Sequence, residues 1–100
     1  MENNIVKPTP KSVIHARICD EIHELYVKKN RDYGDSFSKS FEEEGFAMSR
    51  IRLSDKLSRF KVLSKTGKAE VNDESMRDTL IDLANYAIMT VVEMDKNNGK

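Results

Sequence analysis

The segment from Leu80 to Val92 constrains this chain most. Leu80, Ile81, Ala84, Ala87, Ile88, Val91 and Val92 recur at helical spacing, and at about 100° per residue they gather on one broad side of a helix. So apolar a face predicts a central place in a bundle, with Asn72 or Asp73 as the N-terminal cap. No segment alternates apolar and polar residues between hairpin turns, so nothing competes for a strand.

Two further helices are expected. Thr9 offers a cap and Pro10 suits a first turn, where its missing N–H costs least. Ile14, Ile18, Ile22 and Leu25 then form an apolar stripe to about Lys29, flanked by Arg17, Glu21, Glu24 and Lys28. Another helix should run from Phe46 to Lys65 and stop at Gly67, with Leu53, Leu57, Phe60 and Leu63 on one face. Arg52, Asp55, Lys56 and Arg59 mark another face, and a short extra helix fits Ser38 to Glu44. The expected fold is therefore all-α: a small antiparallel bundle of three main helices plus the short one. Polar termini over residues 1–8 and 97–100 leave one domain over residues 9–96.

A core drawn from 38% apolar residues in 100 is thin. Small domains bury a lesser share of their surface, so a homodimer or higher homo-oligomer is expected. Basic and acidic residues balance at 17 each, which argues against a duplex-DNA binder that relies on neutralising many phosphates. A lone Cys19 excludes an intramolecular disulfide, and no Cys/His cluster has zinc spacing. No signal-like or membrane-spanning stretch is evident, so a cytoplasmic protein with no membrane partner is expected.

Chemistry concentrates in three places. Glu74, Asp78 and Asp82 fall at i, i+4 and i+8, with Asn85 in the same strip. Like charges so placed destabilise a helix by about 0.2–0.5 kcal/mol per pair, so cations or a metal should compensate. Mg²⁺ favours such oxygen donors beside substrate phosphates, whereas Arg52, Lys56 or Arg59 could pair with the same acids as structural partners. The second place is Glu21 and Glu24, an E-x-x-E pair that Arg17 and Lys28 could neutralise on the surface. The third is the segment "KNRDYGDSF", where Lys29 and Arg31 could meet phosphate, Tyr33 or Phe37 could stack on a base, and Gly34 could take a positive φ or admit a ligand close to the backbone. Its plain alternative is an Asx-type turn closed by Asp32 or Asp35.

The order "KNRDYGDSF", "RLSDKLSRF", "DESMRDTLIDLANYAIM" resembles the phage and prophage family called nucleotide modification associated domain 1, over residues 14–92. That family is similar to all-α nucleotide pyrophosphatases of the MazG type. The resemblance implies a helical nucleotide-binding protein of a phage or mobile element, acting in the host cytoplasm. It further implies Mg²⁺-dependent cleavage of a nucleoside triphosphate to monophosphate and pyrophosphate. Glu21 and Glu24 would stand for the family's E-x-x-E and Glu74, Asp78 and Asp82 for its later acids, which hold metal. Lys29, Arg31, Lys56 and Arg59 would steady the phosphates, and Tyr33 would meet the base or sugar. Two alternatives stand beside catalysis: a binder that sequesters a nucleotide or a cyclic or modified nucleotide signal, and a structural helical oligomer.

Overall fold

The computed structural model describes residues 7–66 and 75–99. Within them lie α1 (Lys11–Tyr33), α2 (Ser36–Glu44), α3 (Phe46–Thr66) and α4 (Met76–Asn97). No strand occurs among the described residues, and the fold is a small all-α bundle. The expected stop at Gly67, the caps Asn72 and Asp73, and the candidate acid Glu74 lie outside the described residues.

Each boundary has a local cause. Pro10 sits at the N-cap position of α1, one residue before the expected first turn, and its carbonyl accepts from the amides of Val13 at 3.0 Å and Ile14 at 3.2 Å. α1 then runs past Lys29 to Tyr33, because nothing between Lys29 and Tyr33 breaks a helix. Gly34 ends it in the left-handed conformation, φ 64° and ψ 38°, and donates its N–H to the Asn30 carbonyl. Asp35 repeats the left-handed geometry at φ 59°, a conformation that Asp tolerates better than most side chains. Its amide also donates to the Asn30 carbonyl, at 3.3 Å. Backbone thus closes this turn, and the Asp35 side chain makes no capping bond to α2. Gly45 then turns α2 into α3 at φ 67° and ψ −151°, a region essentially reserved for glycine. Ser75 caps α4, its hydroxyl accepting from the Asp78 amide at 3.0 Å.

α3 and α4 form the main antiparallel pair. Thr90 donates to Ser49 at 2.9 Å, and Lys56 lies 3.0 Å from Asp82 nearer the start of α4. α1 and α2 follow α4 in its own direction, with Arg77 on Glu21, Phe37 on Tyr86 and Ser38 on Glu93. The buried apolar core is small: Ile22, Phe41, Met48 and Leu63. Phe41 meets Phe46 edge to face at 5.3 Å, across the α2–α3 turn.

The orientation of α4 departs from the sequence expectation. Thr79, Asn85 and Glu93 are its buried residues, whereas Leu80, Ile88, Val91 and Val92 are exposed. Specific partners explain the inversion. Ser38 donates to Glu93 Oε1 at 3.0 Å, and Lys96 Nζ reaches Ser38 Oγ at 2.9 Å. The same ammonium lies 3.3 Å from Glu93 Oε1 and 3.3 Å from Glu42 Oε2. Inward polar groups so satisfied cost little to bury, whereas turning them outward would leave Ser38 and Ser49 unmatched. Of the stripe expected along α1, Ile22 alone is buried, and Ile14 is 43% exposed. No helix among the described residues is long and apolar enough to cross a membrane.

The two turn glycines should differ in their tolerance of a side chain. A Cβ at Gly34 or Gly45 meets nothing within 4 Å, so only backbone conformation is at stake. Gly34→Ala should cost about 1–2 kcal/mol, the left-handed penalty, and Gly45→Ala about 1–3 kcal/mol and more than Gly34→Ala. Urea unfolding followed by circular dichroism ranks the two; equal or reversed costs would contradict the backbone assignment.

Candidate functional site

The continuation of α1 to Tyr33 converts a supposed loop into one helical face. Tyr26, Lys29 or Asn30, and Tyr33 follow at i, i+3 or i+4, and i+7. They look across α2 toward Asn85, Tyr86 and Met89 of α4. Arg52 of α3 and Ser36 and Phe37 of α2 complete the lining of a cavity of about 210 Å³. The Phe37 and Tyr86 rings stack with centroids 6.0 Å apart and planes inclined by 23°. An aromatic wall of this kind offers flat surfaces to a flat ligand.

Asn85 stands at the back of the cavity. Its residue is 7% exposed, and its Oδ1 is buried with no hydrogen-bond partner among the described residues. A buried acceptor left unmatched costs about 1–3 kcal/mol. A ligand N–H donated to this oxygen would recover that cost.

A second, more open groove of about 520 Å³ runs between α1 and α4, lined by Glu21, Glu24, Lys28, Lys29, Asp78 and Asp82. Lys29 and Asp82 belong to both linings, so the two spaces adjoin. The fold therefore brings together four of the five candidate metal-binding acids, the fifth being Glu74. They are not arranged as a metal centre. Both Glu21 oxygens accept from Arg77, at 2.8 and 2.6 Å, and Asp82 Oδ2 lies 3.0 Å from Lys56 Nζ. Among the described residues no three His, Cys, Asp or Glu side chains stand close enough to share one ion. The carboxylates suit Mg²⁺ chemically, but their present partners do not leave them to it.

Pairing across helices replaces the pairings expected along them. Glu21 meets Arg77 of α4, not Arg17 or Lys28, and Lys28 lies 3.6 Å from Asp32. The hydrogen bond from Arg77 holds the Glu21 carboxyl below its ordinary range, and Glu21 in turn raises Arg77. Arg31 is exposed beside Asp32 at 3.7 Å and lines neither space. Lys56 serves Asp82, and Arg59 of α3 also lies outside both linings. Gly34 supplies the turn and no wall.

Lys29, Tyr33, Asp82 and Asn85 were thus legible candidates that the cavity gathers. Tyr26, Asn30 and Tyr86 were missed as lining residues. The helical register from Tyr26 to Tyr33 would have exposed the first two had α1 been drawn to Gly34. Tyr86 follows Asn85 directly, but only packing shows that both reach the same space.

The family model for nucleotide modification associated domain 1 matches residues 29–94, more than half of the chain. No curated protein and no solved structure matches.

The Glu21–Arg77 pair can be tested by pH. Because the Glu21 pKa is lowered in the fold, its contribution is present at neutral pH and is lost as pH falls through the folded value, below 4.5. In an NMR titration Glu21 should titrate below 4.5, and Arg77→Gln should move it back up. An unmoved Glu21 in that variant would show that Arg77 is not the cause.

Proposed function

We infer a nucleotide-binding function for this chain, which belongs to the nucleotide modification associated domain 1 family. The observation that carries it is the buried, unmatched Asn85 Oδ1 at the back of a cavity walled by Tyr26, Tyr33, Phe37 and Tyr86. A base fits both features at once, because it presents a π-face to the rings and an N–H edge to the amide oxygen. A cavity of about 210 Å³ favours a base over a whole nucleotide. The sugar and phosphates would extend outward, where Lys29 and Arg52 stand in the lining. Arg52 can meet a phosphate with its planar fork and Lys29 as a point charge.

Within this reading the ligand class is a nucleotide, including a cyclic or modified one, held without covalent chemistry. Cyclic nucleotides keep the base and carry less charge, so they fit a site with two flanking cations and a neighbouring acidic groove.

Hydrolysis of a nucleoside triphosphate, as in enzymes of the MazG type, is the second reading. Glu21, Glu24, Asp78 and Asp82 on one groove beside the base cavity favour it. It requires Arg77 and Lys56 to leave their carboxylates, since those ion pairs now take the oxygens a cation would use. No catalytic step is assigned through a metal here.

A nucleotide panel titrated calorimetrically, with and without Mg²⁺, separates the readings. The binder should take up at least one nucleotide without Mg²⁺ and return it intact after heat denaturation. Phe37→Ala should weaken binding by about 1–3 kcal/mol through lost stacking, and Arg52→Ala should weaken a nucleotide more than the matching nucleoside. Turnover that appears only with Mg²⁺ and disappears in Asp78→Ala would establish the enzyme instead. No binding to any nucleotide would remove both readings and leave a structural helical protein.

A further inference from the structure

Along the outer side of α4, Leu80, Ala84, Ala87 and Val91 succeed one another at i, i+4, i+7 and i+11, with Ile88 beside them. At about 100° per residue these residues form one straight apolar seam. Leu80 is 40%, Ile88 49% and Val91 51% exposed. The opposite side of the same helix is occupied by Asp82, Asn85, Glu93 and their partners. α4 cannot rotate to hide the seam without breaking those polar contacts.

α1 shows the same deficit in another place. Its stripe is covered at Ile22, where Glu21 meets Arg77 at the start of α4. Towards the N-terminus α1 continues beyond the first residues of α4, and Ile14 stays exposed on the same stripe. The helix therefore carries an apolar extension that nothing in its own chain covers among the described residues.

The quantities match these local observations. A compact protein of 11.5 kDa exposes roughly 5,800 Å², whereas this chain exposes 7713 Å². Its radius of gyration is 17.4 Å, against roughly 13 Å for a compact domain of this length. The surplus of about 1,900 Å² per chain is of the size that obligate homodimers bury, roughly 2,000–5,000 Å² counted over both partners.

We propose that a second copy of this chain covers the seam, in a homodimer that buries Leu80, Ala84, Ala87 and Val91 of each α4 and the projecting end of each α1. The seam is its own complement, which is what a two-fold interface requires. Its two alanines let helix backbones approach closely, and its flanks supply the larger Ile88 and Val91. Zero net charge imposes no overall repulsion between copies. The aromatic cavity lies on the opposite, polar side of α4, so the two faces of one helix divide ligand binding from assembly. The assembly stands whether or not a nucleotide binds.

Sedimentation velocity of the full chain at micromolar concentration should give twice the mass of the 11.5 kDa protomer. Ala87→Glu, a change between two good helix formers at an exposed position, should reduce the species to one protomer with its helical circular dichroism retained. Ile14→Glu should do the same, whereas Val62→Glu, on exposed α3 surface, should leave the dimer intact. A wild-type monomer across the accessible range would overturn the proposal, as would a dimer unmoved by Ala87→Glu. Should Ala87→Glu fail to fold, a Cys19→Ser, Ala87→Cys variant supplies the second reading. Oxidation should cross-link two copies through position 87, and no cross-linked species would count against the seam.

Discussion

The rest of the structure depends on which way α4 faces. Its inner side is polar and is held there by particular partners: Lys56 on Asp82, Ser49 on Thr90, and Ser38 with Lys96 on Glu93. Each contact joins α4 to a different stretch of the chain. An amphipathic helix ordinarily turns its apolar side to the core, and here satisfied buried polar groups reverse that choice. Removing one partner would strand the other in a poorly solvated interface, which is more costly than losing an average hydrogen bond.

That reversal explains both the site and the surface. With polar residues inward, Asn85 faces a space between helices where its Oδ1 has no partner among the described residues. Tyr86 follows onto Phe37 at 6.0 Å. With apolar residues outward, a thin core of Ile22, Phe41, Met48 and Leu63 is left to one chain. So small a core is a weak basis for an isolated domain, and it makes the exposed seam of α4 part of the same problem.

The helices themselves were legible because periodicity is a local property. The α3 start at Phe46 and the extra helix before Glu44 follow from glycines at 34 and 45 and from spacing between them. The end of α1 was misjudged at Lys29, because Asn30, Arg31 and Asp32 are weak formers that a helix tolerates until Gly34 stops it. The facing of α4 was not legible at all. Hydrophobicity gave its outward seam as a core stripe, since Ser38, Ser49 and Lys56, which hold its other side, lie 26 or more positions away along the sequence. The acidic candidates fared between these extremes: spacing placed Asp78 and Asp82 on one strip, and only packing set Glu21 and Glu24 across the groove from them. Their true partners, Arg77 and Lys56, come from different helices.

The most direct measurement is a backbone and side-chain NMR titration of the labelled protein with the tightest-binding nucleotide of the panel. A polar inner face that receives a base should show its largest shifts at the Asn85 side-chain amide and at Tyr86, Phe37, Lys29 and Arg52, with Leu80 and Val91 unmoved. Shifts centred on the outer side of α4, with the Asn85 amide unchanged at saturation, would contradict it.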